Sequence, residues 1–193
     1  MPDAPRILLA AALIAAVQSL AACVPLVVAG AAGTALVVSD RRSAGAQLDD
    51  AAIETKVAGT VAERHGDRAH VNATSYNGAL LLTGEVPDAA AKAAVFEAAR
   101  ATERVRSVHD ELVVAPPSDL GARTNDTYLT SLVKSRFLEG SGTFSATHVK
   151  VVTERGVVYL MGLVRRAEAD AATNIAASTR GVARVVKVFE YID

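Results

Sequence analysis

Apolar positions along the chain recur with two spacings, and the two alternate in the same order twice. Between Asn125 and Gly140, Leu129, Val133 and Phe137 stand four residues apart, the interval that aligns side chains on one face of an α-helix. Asn125 or Asp126 is the expected N-cap of that helix, and Glu139-Gly140 its end. From Thr147 to Thr153 apolar and polar residues alternate, Arg155-Gly156 marks a turn, and Val157 to Leu163 returns as a run of β-formers, which together predict a hairpin. Arg166 to Arg180 carries alanine at 167, 169, 171, 172, 176 and 177, a helix able to pack closely on a sheet. Val182 to Ile192 then supplies a third strand, so the order is αββαβ.

The same order is written earlier in the chain. Ile53, Val57 and Val61 match Leu129, Val133 and Phe137 at an offset of 76, Gly78 and Gly84 match Gly156 and Gly162 at 78, and Val105 and Val108 match Val182 and Val185 at 77. A two-residue loop insertion accounts for the slip, and two copies are too few for a solenoid. The pattern therefore predicts an α+β chain of two αββαβ modules, 49–114 and 125–193, each with two helices packed on a three-stranded mixed sheet. Residues 115–124 join them, and Pro116-Pro117 cannot continue a strand. Each module is near the lower size limit for a core of its own, and the two are expected to be separable.

Ahead of the modules the pattern changes. Arg6 precedes an apolar run from Ile7 to Val17 that is too short to span a bilayer, which takes roughly 20 residues, and reads as the core of a signal peptide over residues 1–22. Leu20-Ala21-Ala22-Cys23 follows it and resembles the bacterial lipobox, with Cys23 as the lipid-attachment residue. Cys23 is the only cysteine, so neither a disulfide framework nor a thiolate metal site is available. Residues 23–48, small and apolar and then polar at Ser39 to Ser43, read as a flexible tether with an r.m.s. span of roughly 28 Å. Val24 after the cysteine, in place of an aspartate, points to the outer membrane.

Net charge adds an asymmetry. The whole chain is at −1, but residues 49–114 carry seven Lys/Arg against eleven Asp/Glu, and residues 125–193 carry nine against seven. The second module is the better partner for an anion. Helical phasing of its first helix puts Leu129, Val133, Arg136 and Phe137 in the inward arc and leaves Tyr128, Ser131, Lys134, Ser135 and Leu138 outward, where the first module has Ala52, Thr55, Ala58, Gly59 and Ala62. A tyrosine ring with a wet hydroxyl, a second large apolar residue and a cation between them suit the headgroup level of a membrane, with Lys134 and Arg136 able to reach phosphate.

Catalytic chemistry is not indicated. His65, His70, His109 and His148 are scattered without the i, i+4 spacing of a zinc helix and read as surface or loop residues. Gly140-Ser141-Gly142 lacks the context of a phosphate loop or nucleophile elbow. No cofactor, metal or enzymatic activity is expected, and a net charge near zero argues against nucleic acid.

The residues also carry a family resemblance. Val71-Asn72, Leu80-Leu81-Leu82-Thr83-Gly84, Val149-Lys150-Val151, Val158 to Val164 and Gly181-Val182-Ala183-Arg184-Val185 resemble the BON domain. The lipobox, the tether, Asp40 to Asp50 and Asn125 to Ser131 extend the likeness over essentially the whole chain, to outer-membrane lipoproteins with two BON domains. There are two departures: Arg104 stands where the second copy has Gly181, and Tyr128 where close relatives have tryptophan. The resemblance implies a non-enzymatic, periplasm-facing, lipid-anchored protein that binds anionic phospholipid such as phosphatidylglycerol, gathers at division sites and supports outer-membrane integrity. An adaptor whose exposed helix docks an envelope assembly or outer-membrane protein insertion machine is the alternative.

Overall fold

A computed structural model describes residues 40–140 and 144–193. The expected signal peptide, Cys23 and most of the expected tether lie outside the described residues.

The two αββαβ copies are present. The first runs α1 (Ala44–His65), β1 (His70–Tyr76), β2 (Ala79–Val86), α2 (Ala89–Arg100) and β3 (Ser107–Val114). The second runs α3 (Leu120–Glu139), β4 (Lys150–Glu154), β5 (Val157–Val164), α4 (Arg166–Ala177) and β6 (Arg184–Tyr191). In each sheet the second strand is central, antiparallel to the first and parallel to the third. The helix between the last two strands provides the crossover that a parallel pair requires.

Both first helices begin earlier than the sequence pattern suggests. Ser43 caps α1, six residues ahead of the expected module start, and Asp119 caps α3 inside the expected linker, each through its side chain. Asp126 is therefore not a cap. It sits buried in the second turn of α3, where its two oxygens accept the backbone N–H groups of Arg155 and Gly156, both at 2.8 Å. Asp50, its counterpart on α1, accepts from Asn77 N–H at 2.7 Å and Gly78 N–H at 2.8 Å. Asn77, Gly78, Arg155 and Gly156 all have positive φ, so one helix carboxylate in each module holds the left-handed hairpin turn that closes its sheet.

Two further positions explain themselves. A Cβ on Gly84 would lie 2.0 Å from the carbonyl oxygen of His70, and one on Gly162 would lie 2.2 Å from that of His148, so a glycine near the end of each central strand lets its neighbour approach. Arg104 takes φ 70° where Gly181 takes 96°, so the turn survives the change of residue, and the Arg104 guanidinium pairs with Asp49.

Each module buries its own core between helices and sheet, Ile53, Val57, Leu80, Leu82 and Val95 in one and Val133, Phe137, Val158, Leu160 and Ala172 in the other. The modules are nevertheless not separate. Tyr76 and Leu81 pack with Tyr159, Met161, Leu163 and Val188 in a third apolar cluster, where the helix-free faces of the two sheets meet. Leu80, Leu81 and Leu82 are all fully buried because both faces of their strand are covered. Residues 40–43 join the same body: Arg41 bridges to Glu168 through two bonds of 2.7 and 2.8 Å and donates to the Leu163 carbonyl, while Arg42 reaches Asp50 at 2.9 Å.

Candidate functional site

Helix α3 presents the surface singled out by the sequence. Leu129, Val133 and Phe137 are buried, which fixes the rotation of the helix, and Tyr128, Ser131, Lys134, Ser135 and Leu138 are all exposed. Tyr128 is 62 % and Leu138 67 % accessible, so neither packs on the first module. Ser131 returns its hydroxyl to the Thr127 carbonyl at 3.0 Å, and Lys134 forms no hydrogen bond or ion pair with a described residue. Its ammonium is available to an external anion.

Two details differ from the sequence reading. Arg136, inward by helical phase, is not turned to phosphate beside Lys134, because its guanidinium donates to the Ser178 carbonyl at 2.8 Å and to the Thr179 hydroxyl at 3.3 Å, tying α3 to the end of α4. Leu120, 80 % accessible, was missed. It lies eighteen residues before Leu138, five full turns at 3.6 residues per turn, so the two leucines share one line along the helix, about 27 Å apart at 1.5 Å per residue. The signal that could have found it is the cap: Asp119 precedes Leu120, and a helix started there gains Leu120 on the exposed face. The matching positions of α1, Ala52, Thr55, Ala58, Gly59 and Ala62, are also exposed but small; the large apolar residue α1 exposes is Leu48, one turn before Ala52.

A second polar centre lies between the modules. His70, read from sequence as a surface or loop residue, is partly buried, with Nδ1 3.1 Å from Glu85 Oε2 and 4.0 Å from Glu154 Oε1. Glu85 is fully buried and takes Arg155 at 3.3 Å and the Ser118 N–H at 3.1 Å. Burial would push its carboxyl up, but Ser118, His70 and Arg155 outweigh that and hold it below the ordinary glutamate value. Glu154 is 5 % accessible, and here burial wins over the bond from Asn72, so its carboxyl is raised. Beside it opens a cleft of about 150 Å³ lined by His70, Asn72, Arg123, Asp126, Thr130 and Glu154 among others.

No described helix is long and apolar enough to cross a membrane. The comparisons with known proteins bear on the whole chain. It is 40 % identical over 185 residues, 95 % of each chain, to the outer membrane lipoprotein DolP of Haemophilus influenzae, and 36 % identical to the 21 kDa hemolysin of Actinobacillus pleuropneumoniae over 79 % of each chain. The osmotically-inducible protein Y of Escherichia coli is 30 % identical over 76 % of this chain and 75 % of its own. The BON domain matches at residues 49–116 and again at 125–193, the two stretches that hold the duplicated αββαβ fold, so the chain belongs to the BON-domain family and carries the domain twice.

Proposed function

We propose that this protein is a non-enzymatic lipoprotein of the outer membrane, anchored through Cys23 and facing the periplasm, that binds anionic phospholipid through the exposed face of α3 and supports the integrity of that membrane, with concentration at division sites. The observation that carries the reading is the difference between the two copies. Their folds and buried positions match, yet α3 exposes three large apolar residues, Leu120, Tyr128 and Leu138, with the ammonium of Lys134 between the last two, where α1 exposes Leu48 alone of that kind. Apolar side chains that reach the acyl boundary, flanked by a cation at headgroup depth, are the elements of an interfacial helix. The likeness to an outer membrane lipoprotein over 95 % of both chains supports the compartment.

Co-sedimentation of residues 38–193 with phosphatidylglycerol vesicles tests it. Tyr128→Glu and Leu138→Glu should lose binding while keeping the fold, because each places a carboxylate among acyl chains and phosphates. Ala52→Glu, at the matching place in α1, should change little. Binding should weaken with salt without vanishing, since the apolar part is unscreened. Wild-type binding by both α3 variants would sink the assignment and favour a protein-docking adaptor.

A further inference from the structure

The centre between the modules has the chemistry of a metal site. We infer that His70, Glu85 and Glu154 form a zinc-class divalent cation site that fastens the first BON domain to the second.

Three observations carry this. The ligand atoms, one imidazole nitrogen and two carboxylate oxygens, all lie within 4.8 Å of one another. A tetrahedral zinc ion with bonds of 2.0–2.1 Å holds neighbouring ligand atoms about 3.3 Å apart, and the separations of 3.1 and 4.0 Å from His70 Nδ1 straddle that value. Second, Glu154 is buried with an oxygen to spare: its Oε2 accepts from Asn72 Nδ2 at 2.8 Å and the Thr83 hydroxyl at 3.4 Å, whereas Oε1 accepts no hydrogen bond among the described residues and is aimed at His70. Its lone pairs open toward the other two ligands and the neighbouring cleft. Third, the supporting shell is in place. Arg155 holds the far oxygen of Glu85 and Asn72 the far oxygen of Glu154, the outer hydrogen bonds that orient carboxylate ligands around a metal. The neighbouring cleft leaves room for a water as fourth ligand.

His70 and Glu85 come from strands β1 and β2, and Glu154 ends β4, so a bound ion would cross-link two domains that otherwise meet through apolar contact and scattered ion pairs. One imidazole and two carboxylates select zinc over calcium or magnesium, which favour all-oxygen sites.

Calorimetric titration of zinc into the chelator-stripped full chain in detergent should give one site per chain and a raised Tm. Cobalt should bind at the same site with the intense visible absorption of a tetrahedral ion. His70→Asn and Glu154→Gln should abolish both signals, Asn72→Ala should weaken affinity roughly 10–100-fold, and His109→Asn, on an exposed residue, should leave it unchanged. Should the ligand variants fail to fold, the wild-type imidazole nitrogen spectrum decides: zinc must move the His70 Nδ1 resonance and leave that of His109 in place. Absence of saturable zinc binding, or binding retained by both His70→Asn and Glu154→Gln, would overturn the site and leave the cluster as a histidine between two carboxylates.

Discussion

Asp126→Asn separates two roles that the sequence alone confuses. As a helix cap, the residue would contribute about 1 kcal/mol, the usual loss when a cap is removed. In the structure it is instead the anchor of a hairpin turn, accepting two backbone N–H groups at 2.8 Å from a buried position. Asparagine keeps one of these bonds through its carbonyl oxygen but turns an NH2 group toward the other N–H. One charge-assisted bond, worth roughly 1.5–3 kcal/mol, is lost and a buried donor is left without a partner. The expected destabilisation is about 2–3 kcal/mol, a large part of the 5–15 kcal/mol typical of a domain. Asp50→Asn should cost more, because Asp50 also takes the Ser75 hydroxyl at 2.6 Å and Arg42 at 2.9 Å, and the substitution weakens these bonds as well, leaving Asp40 as the carboxylate that balances Arg42. Those bonds outweigh burial and hold its carboxyl below the ordinary value. Urea unfolding followed by circular dichroism gives the two free energies. Hydrogen exchange at the Arg155 and Gly156 amides shows whether the loss is local to the turn. A cost near 1 kcal/mol for Asp126→Asn with the turn amides still protected would refute the anchoring argument.

Gly84→Ala and Gly162→Ala should each cost roughly 3 kcal/mol or more, since the new methyl meets a strand carbonyl at 2.0 or 2.2 Å, whereas Gly59→Ala, exposed in mid-helix with nothing within 4 Å, should stabilise by about 1 kcal/mol; thermal melts of the three variants check the contrast. The Arg41 hydrogen bonds hold the Glu168 carboxyl at about 2, against an ordinary 4.5, so its contribution is complete above pH 4.5 and is lost as the pH falls toward 2. That loss amounts to at most about 3 kcal/mol, and melts at pH 6 and pH 3 should show a smaller difference in Arg41→Ala than in wild type.

The duplicated fold was legible because each element carries its own period: four-residue spacing in α1 and α3, alternation in β4, and glycines at turns and close approaches. What the pattern could not show is how the modules meet. A hairpin strand with one wet face should alternate, yet Leu80-Leu81-Leu82 and Val158 to Val164 are continuous apolar runs, and that continuity signals a strand covered on both sides. Read that way, the runs forecast the packing of sheet on sheet and argue against separable domains. The α3 face was legible from helical phase alone, except at Leu120, which the late choice of cap cut off; Arg136 stood inward by phase, and only its partner on α4 depends on the tertiary fold. His70, Glu85 and Glu154 lie 15 and 69 residues apart, a separation no local motif spans, so only the fold brings them together.

The proposed lipid surface is weak by its own chemistry, and that weakness defines the part played by the anchor. Full burial of Tyr128 and Leu138 would contribute roughly 1.5–3 kcal/mol each, and Lys134 near an anionic surface about 1 kcal/mol more. Against this stands the cost of immobilising the domain, and 4.1 kcal/mol corresponds to only millimolar affinity. Such a face does little for a protein free in solution, but the acyl chains proposed on Cys23 would hold it within a tether's length of the bilayer, where effective concentrations reach the millimolar range. The anchor would retain the protein and the helix face would orient it. The two contributions are separable. Cys23→Ala should abolish metabolic labelling with a palmitate analogue and shift the protein out of the outer-membrane fraction, while Tyr128→Glu should leave labelling and fractionation unchanged and expose α3 to a protease or a membrane-impermeant label. If Tyr128→Glu alone releases the protein from the membrane, the face is the main attachment and this division of labour fails.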